Sequence, residues 1–216
     1  MTENPYRNRE PIELFRDAYF LYVKSPFSEF TLSRIRHGDT VLELGAGTGK
    51  LSIQVAARIP DTQVMAIDID PEAQNYQSRL LRVFEASVNG RLMNLNFKRG
   101  DLFDSGLRHE SSDVVFSEGV VEHWSDEKRQ RCINIHADLA KRCVLIITTN
   151  GNDSEATAKA ASSKQSYVGM EDYERPYTKS ELKAKMEAAG LTKVCVWESK
   201  ELDFPTNEYL LAEGFK

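Results

Sequence analysis

The chain has 216 residues and a formal net charge of -5, with 41% hydrophobic and 28% charged residues. Such a composition excludes extended disorder and leaves enough length for one domain with a well-buried core. The acidic balance argues against a nucleic-acid partner, because duplex binding calls for a basic face. No apolar stretch has the length to cross a bilayer, and the polar start lacks a signal core, so no membrane is expected. Cys132, Cys143 and Cys195 have neither zinc-ligand nor disulfide-framework spacing. No metal site is expected, and reduced thiols suit a cytoplasm.

In chain order, 9–23 reads as a helix, with Ile12, Phe15, Ala18, Tyr19 and Tyr22 recurring at three and four spacing. Pro26 interrupts it, and 27–36 reads as a second short helix. Together 9–37 form an N-terminal helical cap over one sheet edge or over a pocket. Residues 40–45 are a first strand, and 49–58 a helix. Residues 63–69 are a second strand, apolar without alternation, as expected when both faces are covered. Asp70 suits the N-cap of the next helix and Pro71 its first turn. That helix runs to about Ser87, and Asn89-Gly90 ends it in a turn.

Residues 92–98 are a third strand and 113–117 a fourth. A helix over 126–140 leads into a fifth strand at 144–149. Residues 150–177 form one long insertion carrying Tyr167, Tyr173 and Tyr177. Loops of that length tend to be functional, and this one is a candidate acceptor lid. Residues 179–189 are a helix ended by Gly190. Strands at 194–198 and 208–212 follow without a helix between them, so they should be antiparallel neighbours. No repeat or linker divides residues 1–216, which are expected to be a single domain.

Alternating strands and helices imply a mainly parallel, doubly wound α/β sheet whose ligand lies beyond the carboxyl ends of the strands. Four of those ends carry candidates: Gly45, Ala46, Gly47 and Gly49 after the first, Asp68 after the second, Asp101 after the third, and Ser117 to His123 after the fourth. Glycines at a strand end let a ligand lie against the backbone. Asp68, 23 positions past Gly45, is placed to accept from both ribose hydroxyls of a nucleoside. Asp101 is placed either to accept from an adenine amine or to cap a turn. A dinucleotide fingerprint needs glycine at position 50, where Lys stands, and Glu43 ahead of the turn would repel a pyrophosphate. Glu43 instead suits a ligand bearing an ammonium group.

These residues resemble the class I S-adenosylmethionine-dependent methyltransferases. The motifs are Val41-Leu-Glu-Leu-Gly-Ala-Gly-Thr-Gly49, Ala66-Ile-Asp-Ile-Asp-Pro71, Gly100-Asp-Leu102, Asp113-Val-Val-Phe-Ser-Glu-Gly-Val-Val-Glu-His123, and Tyr177-Thr-Lys-Ser-Glu-Leu182 with Ala188-Ala-Gly-Leu191, in the family's order. The resemblance implies a Rossmann-like, seven-stranded, mostly parallel sheet of order 3-2-1-4-5-7-6 with strand 7 antiparallel. It implies S-adenosyl-L-methionine as cofactor. Glu43 and the backbone of Gly45, Ala46 and Gly47 would then hold its amino-acid end, and Asp68 its ribose. Ile69 would pack on the adenine, Asp101 and Leu102 would read its edge, and Ser117 and Glu118 would line the reactive end.

The reaction implied is an in-line methyl transfer. It needs a general base only when the acceptor is a hydroxyl or a protonated amine. His123 is the candidate for that base, or else it braces the start of the following helix. An Asn/Asp-Pro-Pro-Tyr signature for amino-group methylation is absent, as is a Pro-Cys pair for cytosine chemistry. A small molecule accepting at O, N, S or C is therefore the expected partner. Protein methylation, or a catalytically silent cofactor-binding subunit acting through a protein partner, are the alternatives.

Overall fold

Strand and helix alternate through the first two-thirds of the chain. β1 (Thr40–Leu44), β2 (Gln63–Asp68), β3 (Leu95–Arg99), β4 (Ser112–Glu118) and β5 (Ala140–Thr149) pair in parallel. β6 (Thr192–Glu198) and β7 (Tyr209–Phe215) complete a seven-stranded sheet of order β3-β2-β1-β4-β5-β7-β6, in which β7 is antiparallel to both neighbours. The computed structural model describes residues 6, 11–23, 25–154, 157–158 and 174–216. The start of the cap at residues 9 and 10, and most of the 150–177 insertion including Tyr167 and Tyr173, lie outside the described residues.

Side chains leave a strand on alternate faces, and two cores follow from that period. Leu42, Leu44, Val115 and Ile146 face one core with α5 (Asp126–Leu139) and α6 (Lys179–Ala188). Val41, Val114, Phe116, Leu145 and Ile147 face the other, with α2 (Pro26–Leu32) and α3 (Lys50–Arg58). A third cluster joins α1 (Pro11–Phe20) to α4 (Pro71–Val88) through Leu14, Ala18, Leu21, Tyr76, Leu80 and Phe84.

Local signals set most boundaries. Asp70 caps α4 by accepting from the Glu72 amide at 2.8 Å, with Pro71 in the first turn. Gly190, at φ +83°, closes α6: its amide donates to Glu187 O, and the Leu191 amide to Met186 O. The sequence places β5 four residues late. Its start, Ala140-Lys-Arg-Cys143, contains charge yet is strand, because Lys141 pairs with Asp113 at 3.8 Å and Arg142 with Asp39. β7 likewise continues to Phe215.

The face assigned to α1 needs correction. Ile12, Phe15 and Tyr19 are exposed, at 75%, 64% and 65%, while Leu14, Asp17, Ala18 and Leu21 are buried. Apolar residues occupy two faces of this helix, so periodicity alone does not choose. The choice rests on Asp17, whose Oδ2 accepts from the Tyr76 hydroxyl at 2.6 Å and whose Oδ1 lies 3.5 Å from Lys50 Nζ. Gln54 Nε2 adds a bond to Phe20 O at 2.9 Å, holding the end of α1 on α3.

Candidate active site

The turn after β1 takes a backbone course that glycine favours. Gly45, Gly47 and Gly49 have φ of +66°, +51° and +71°. At Gly45 a Cβ would stand 2.6 Å from Val120 Cγ2, so the β1 and β4 ends approach each other as only glycine allows. Ala46 is buried, and its amide donates to Ile67 O at 3.0 Å. The Gly47 amide donates to Asp68 Oδ2 at 2.7 Å, and Gln77 Nε2 donates to Gly47 O at 2.9 Å. The Tyr6 hydroxyl lies 2.9 Å from where a Cβ on Gly47 would be.

Asp68 is half-buried at the end of β2. Its other oxygen, Oδ1, accepts from the Asp70 amide at 2.9 Å. Burial raises its pKa against these two bonds, and the Asp70 charge adds to the rise. Glu43 is 3% exposed, and its Oε2 accepts from the Ser52 hydroxyl at 2.5 Å. Burial pushes its pKa up to about 8, with Glu118 and Asp68 raising it further. Glu118 is exposed, yet it is desolvated by the protein around it, which also raises its pKa. Lys50 is the charge that most opposes the rise at Glu118, and Glu122 reinforces it.

Strand parity separates two residues that the sequence places together. Ser117 and Glu118 are adjacent on β4, so their side chains leave opposite faces. Glu118 turns toward the α3 side. Ser117 is fully buried on the α5 side, where its hydroxyl stands 2.9 Å from His136 Nε2. His136 Nδ1 is 2.8 Å from Cys132 O, so Nδ1 carries the proton and Nε2 accepts from Ser117. Burial lowers the His136 pKa to about 4. The Ser117 side chain therefore braces α5 instead of facing the cleft.

At the β2 and β3 ends, Ile69 is half-buried. Asp101 Oδ1 accepts from the Phe103 amide at 2.8 Å and caps the 3-10 turn Leu102–Asp104, while Leu102 is buried in the core. His123 ends a second 3-10 turn, Val121–His123, and is half-buried. Its neighbour Glu122 is 2% exposed and ties that turn to β5: Oε1 accepts from the Thr149 amide and hydroxyl, both at 3.2 Å. Glu122 O accepts from the Arg175 amide at 2.8 Å, which anchors the far end of the insertion beside the same turn.

Ser52 and Lys50 were not singled out from the sequence. A serine among apolar neighbours on the inner face of a helix is the signal that would have found Ser52. Lys50 carries no such local mark. Among the described residues, no group of three or more His, Cys, Asp or Glu could hold a metal ion, and no helix is long and apolar enough to cross a membrane.

Glu43, Asp68 and Glu118 thus gather at the ends of β1, β2 and β4 around the glycine turn. Mutual repulsion adds to the raised pKa of Glu43, and a cationic ligand would relieve it. This set of acceptors suits S-adenosylmethionine, with its ammonium and sulfonium charges and its ribose hydroxyls.

Comparison with known proteins agrees. A family described as a methyltransferase domain matches residues 41–142, just under half of the chain. An uncharacterized methyltransferase of Schizosaccharomyces pombe is 21% identical over 99 residues, which make up 46% of this chain and 36% of that protein. An O-methyltransferase family protein from Burkholderia thailandensis superposes with a TM-score of 0.67 at 19% identity, over 93% of this chain and 58% of that one. A SAM-dependent methyltransferase from Aquifex aeolicus superposes with a TM-score of 0.61 at 18% identity, over 96% of this chain and 98% of that one. A magnesium protoporphyrin IX methyltransferase from Synechocystis, solved with bound SAH, gives 0.61 at 15% identity, over 95% of this chain and 82% of that one. These likenesses establish a shared fold. Together with the matched domain, they show that residues 41–142 are similar to a methyltransferase domain and that the chain shares the fold of S-adenosylmethionine-dependent methyltransferases.

Proposed function

We propose that this chain transfers a methyl group from S-adenosylmethionine to a small-molecule acceptor, through an O, N, S or C atom. The observation that carries the reading is the tie between the Gly47 amide and Asp68, faced by Glu43 and Glu118 across the ends of three adjacent strands. When bound, the cofactor supplies a methyl group on a sulfonium that leaves as a neutral thioether. The chain's own residues align the reactants and exclude water.

In this reading Asp68 takes the ribose hydroxyls with the lone pairs that Gly47 and Asp70 leave free. Glu43 and the Gly45, Ala46 and Gly47 backbone hold the amino-acid end, while Ile69 flanks the adenine with Asp101 and Leu102 at its edge. Glu118 lines the reactive end beside the main chain of Ser117. His123 is the proposed base for an acceptor that must lose a proton, and the 150–177 insertion is the proposed acceptor lid. Residues 1–216 act as a single domain capped by 9–37. Cys132, Cys143 and Cys195 are free thiols, which supports a cytoplasmic setting.

Thermal-shift titration with S-adenosylhomocysteine, S-adenosylmethionine and NAD tests the cofactor. Stabilisation by the first two and not by NAD is expected, and the reverse would sink the reading. Incubation with metabolite pools and methyl-labelled cofactor tests the acceptor. Label appearing only on protein would replace the small-molecule assignment with protein methylation, and no label anywhere would favour the silent subunit. His123→Ala should lower kcat by about 10²-fold or more and spare S-adenosylhomocysteine affinity. Undiminished turnover would retire His123 as base.

A further inference from the structure

Lys50 is a cation placed among acids. It begins α3 directly after the glycine turn. Its ammonium lies 3.5 Å from Asp17 Oδ1 on the inner face of α1, and Asp17, 1% exposed, is held by the Tyr76 hydroxyl at 2.6 Å. Arg16 Nε lies 4.0 Å from the same Asp17 oxygen. Its charge also reaches Glu118 at the end of β4, opposing the rise that burial causes in the Glu118 pKa. The ammonium is thus held at α1 from the residue that follows the glycine turn, and its side chain is still 40% exposed, with room for another partner.

The ligand proposed above is not simply a cation. Its amino-acid end is a zwitterion, with a carboxylate one carbon from the ammonium. Asp68, Glu118 and, once a cation draws off its proton, Glu43 answer the positive charges and would repel the carboxylate. We propose that Lys50 is the counter-ion of the cofactor's α-carboxylate, and that Asp17 is the positioning residue that keeps the ammonium at the junction of α1 and α3. The inference rests on the cofactor reading of the site. It makes cofactor affinity depend on the seating of α1, because Asp17 belongs to that helix and Lys50 to the start of α3.

Two ligands separate this role from a structural one. S-adenosylhomocysteine carries the carboxylate, whereas 5′-methylthioadenosine keeps the nucleoside and thioether and lacks the amino-acid end. Calorimetric titration of wild type, Lys50→Met and Lys50→Arg with both compounds is the experiment. Lys50→Met should weaken S-adenosylhomocysteine by about 10- to 100-fold, the range of a hydrogen bond to a charged group. It should leave methylthioadenosine within about twofold, which also shows the variant folded, and Lys50→Arg should keep most of the affinity. Equal losses for both ligands would make Lys50 a structural residue and overturn the proposal, as would unchanged S-adenosylhomocysteine affinity in Lys50→Met. Wild type that binds neither compound would instead strike the cofactor reading, and the proposal with it.

Discussion

The Gly47 amide donates to Asp68 Oδ2 at 2.7 Å, so the turn after β1 and the end of β2 are one hydrogen-bonded unit. Asp68 therefore shapes the turn, and in the proposed reading it also meets the ligand. Asp68→Ala should weaken S-adenosylhomocysteine at least tenfold, about 1.4 kcal/mol, and also lower stability by about 1 kcal/mol through the two amides left unpaired. Calorimetry and urea denaturation measure the two effects. Unchanged affinity would place the nucleoside elsewhere.

Gly45 should tolerate no side chain. Its φ of +66° costs an L-residue about 1–2 kcal/mol, and its Cβ would meet Val120 Cγ2 at 2.6 Å. Gly45→Ala is expected to lose about 3 kcal/mol in urea denaturation. Val120→Ala should be less costly in that background than in wild type, because it relieves the contact but not the dihedral. A double-mutant cycle reads that coupling, and strict additivity would show that the contact is not the cause.

Glu43 gives stability a slope on the alkaline side. Its folded pKa of about 8 lies above its ordinary value of 4.5, so the folded state holds a proton that the unfolded chain releases. The contribution is whole below pH 4.5 and is lost as pH rises through about 8. Between pH 6 and 9 the wild type should lose about 3 kcal/mol relative to Glu43→Gln. Parallel pH profiles for the two proteins would contradict this.

His136 gives the opposite slope. Its pKa falls from 6.5 to about 4 on burial, so the folded state resists a proton that the unfolded chain accepts. Its contribution is present above pH 6.5 and is lost as pH falls toward 4. From pH 7 to 5, wild type should lose about 2 kcal/mol that His136→Gln does not. Ser117→Ala should cost about 1–3 kcal/mol at pH 7, since it leaves buried Nε2 without its donor. Ser117→Ala should also spare S-adenosylhomocysteine affinity, and a large loss there would mean that its hydroxyl reaches the cleft after all.

The sequence by itself determined the sheet, the strand ends and the glycine turn. Those features rest on short-range patterns: apolar runs in β1, β2 and β5, alternate glycines at 45, 47 and 49, and Asp70-Pro71 opening α4. It could also separate Asp68 from Asp70, because the second was already explained as a helix cap. Tertiary structure decided the rest, because the deciding partners are distant in the chain. Asp17 selects the buried face of α1 through Tyr76, 59 positions away, against an apolar stripe that looked equally suited. Ser117 is turned from the cleft by His136, 19 positions on, while Glu118 beside it faces the other way. Lys50 carries no local mark of a charge partner in sequence, and only the fold brings Asp17 to 3.5 Å from its ammonium and Glu118 within reach of its charge. Local patterning sets backbone course, whereas burial and charge at a site depend on which distant side chains the fold brings within reach.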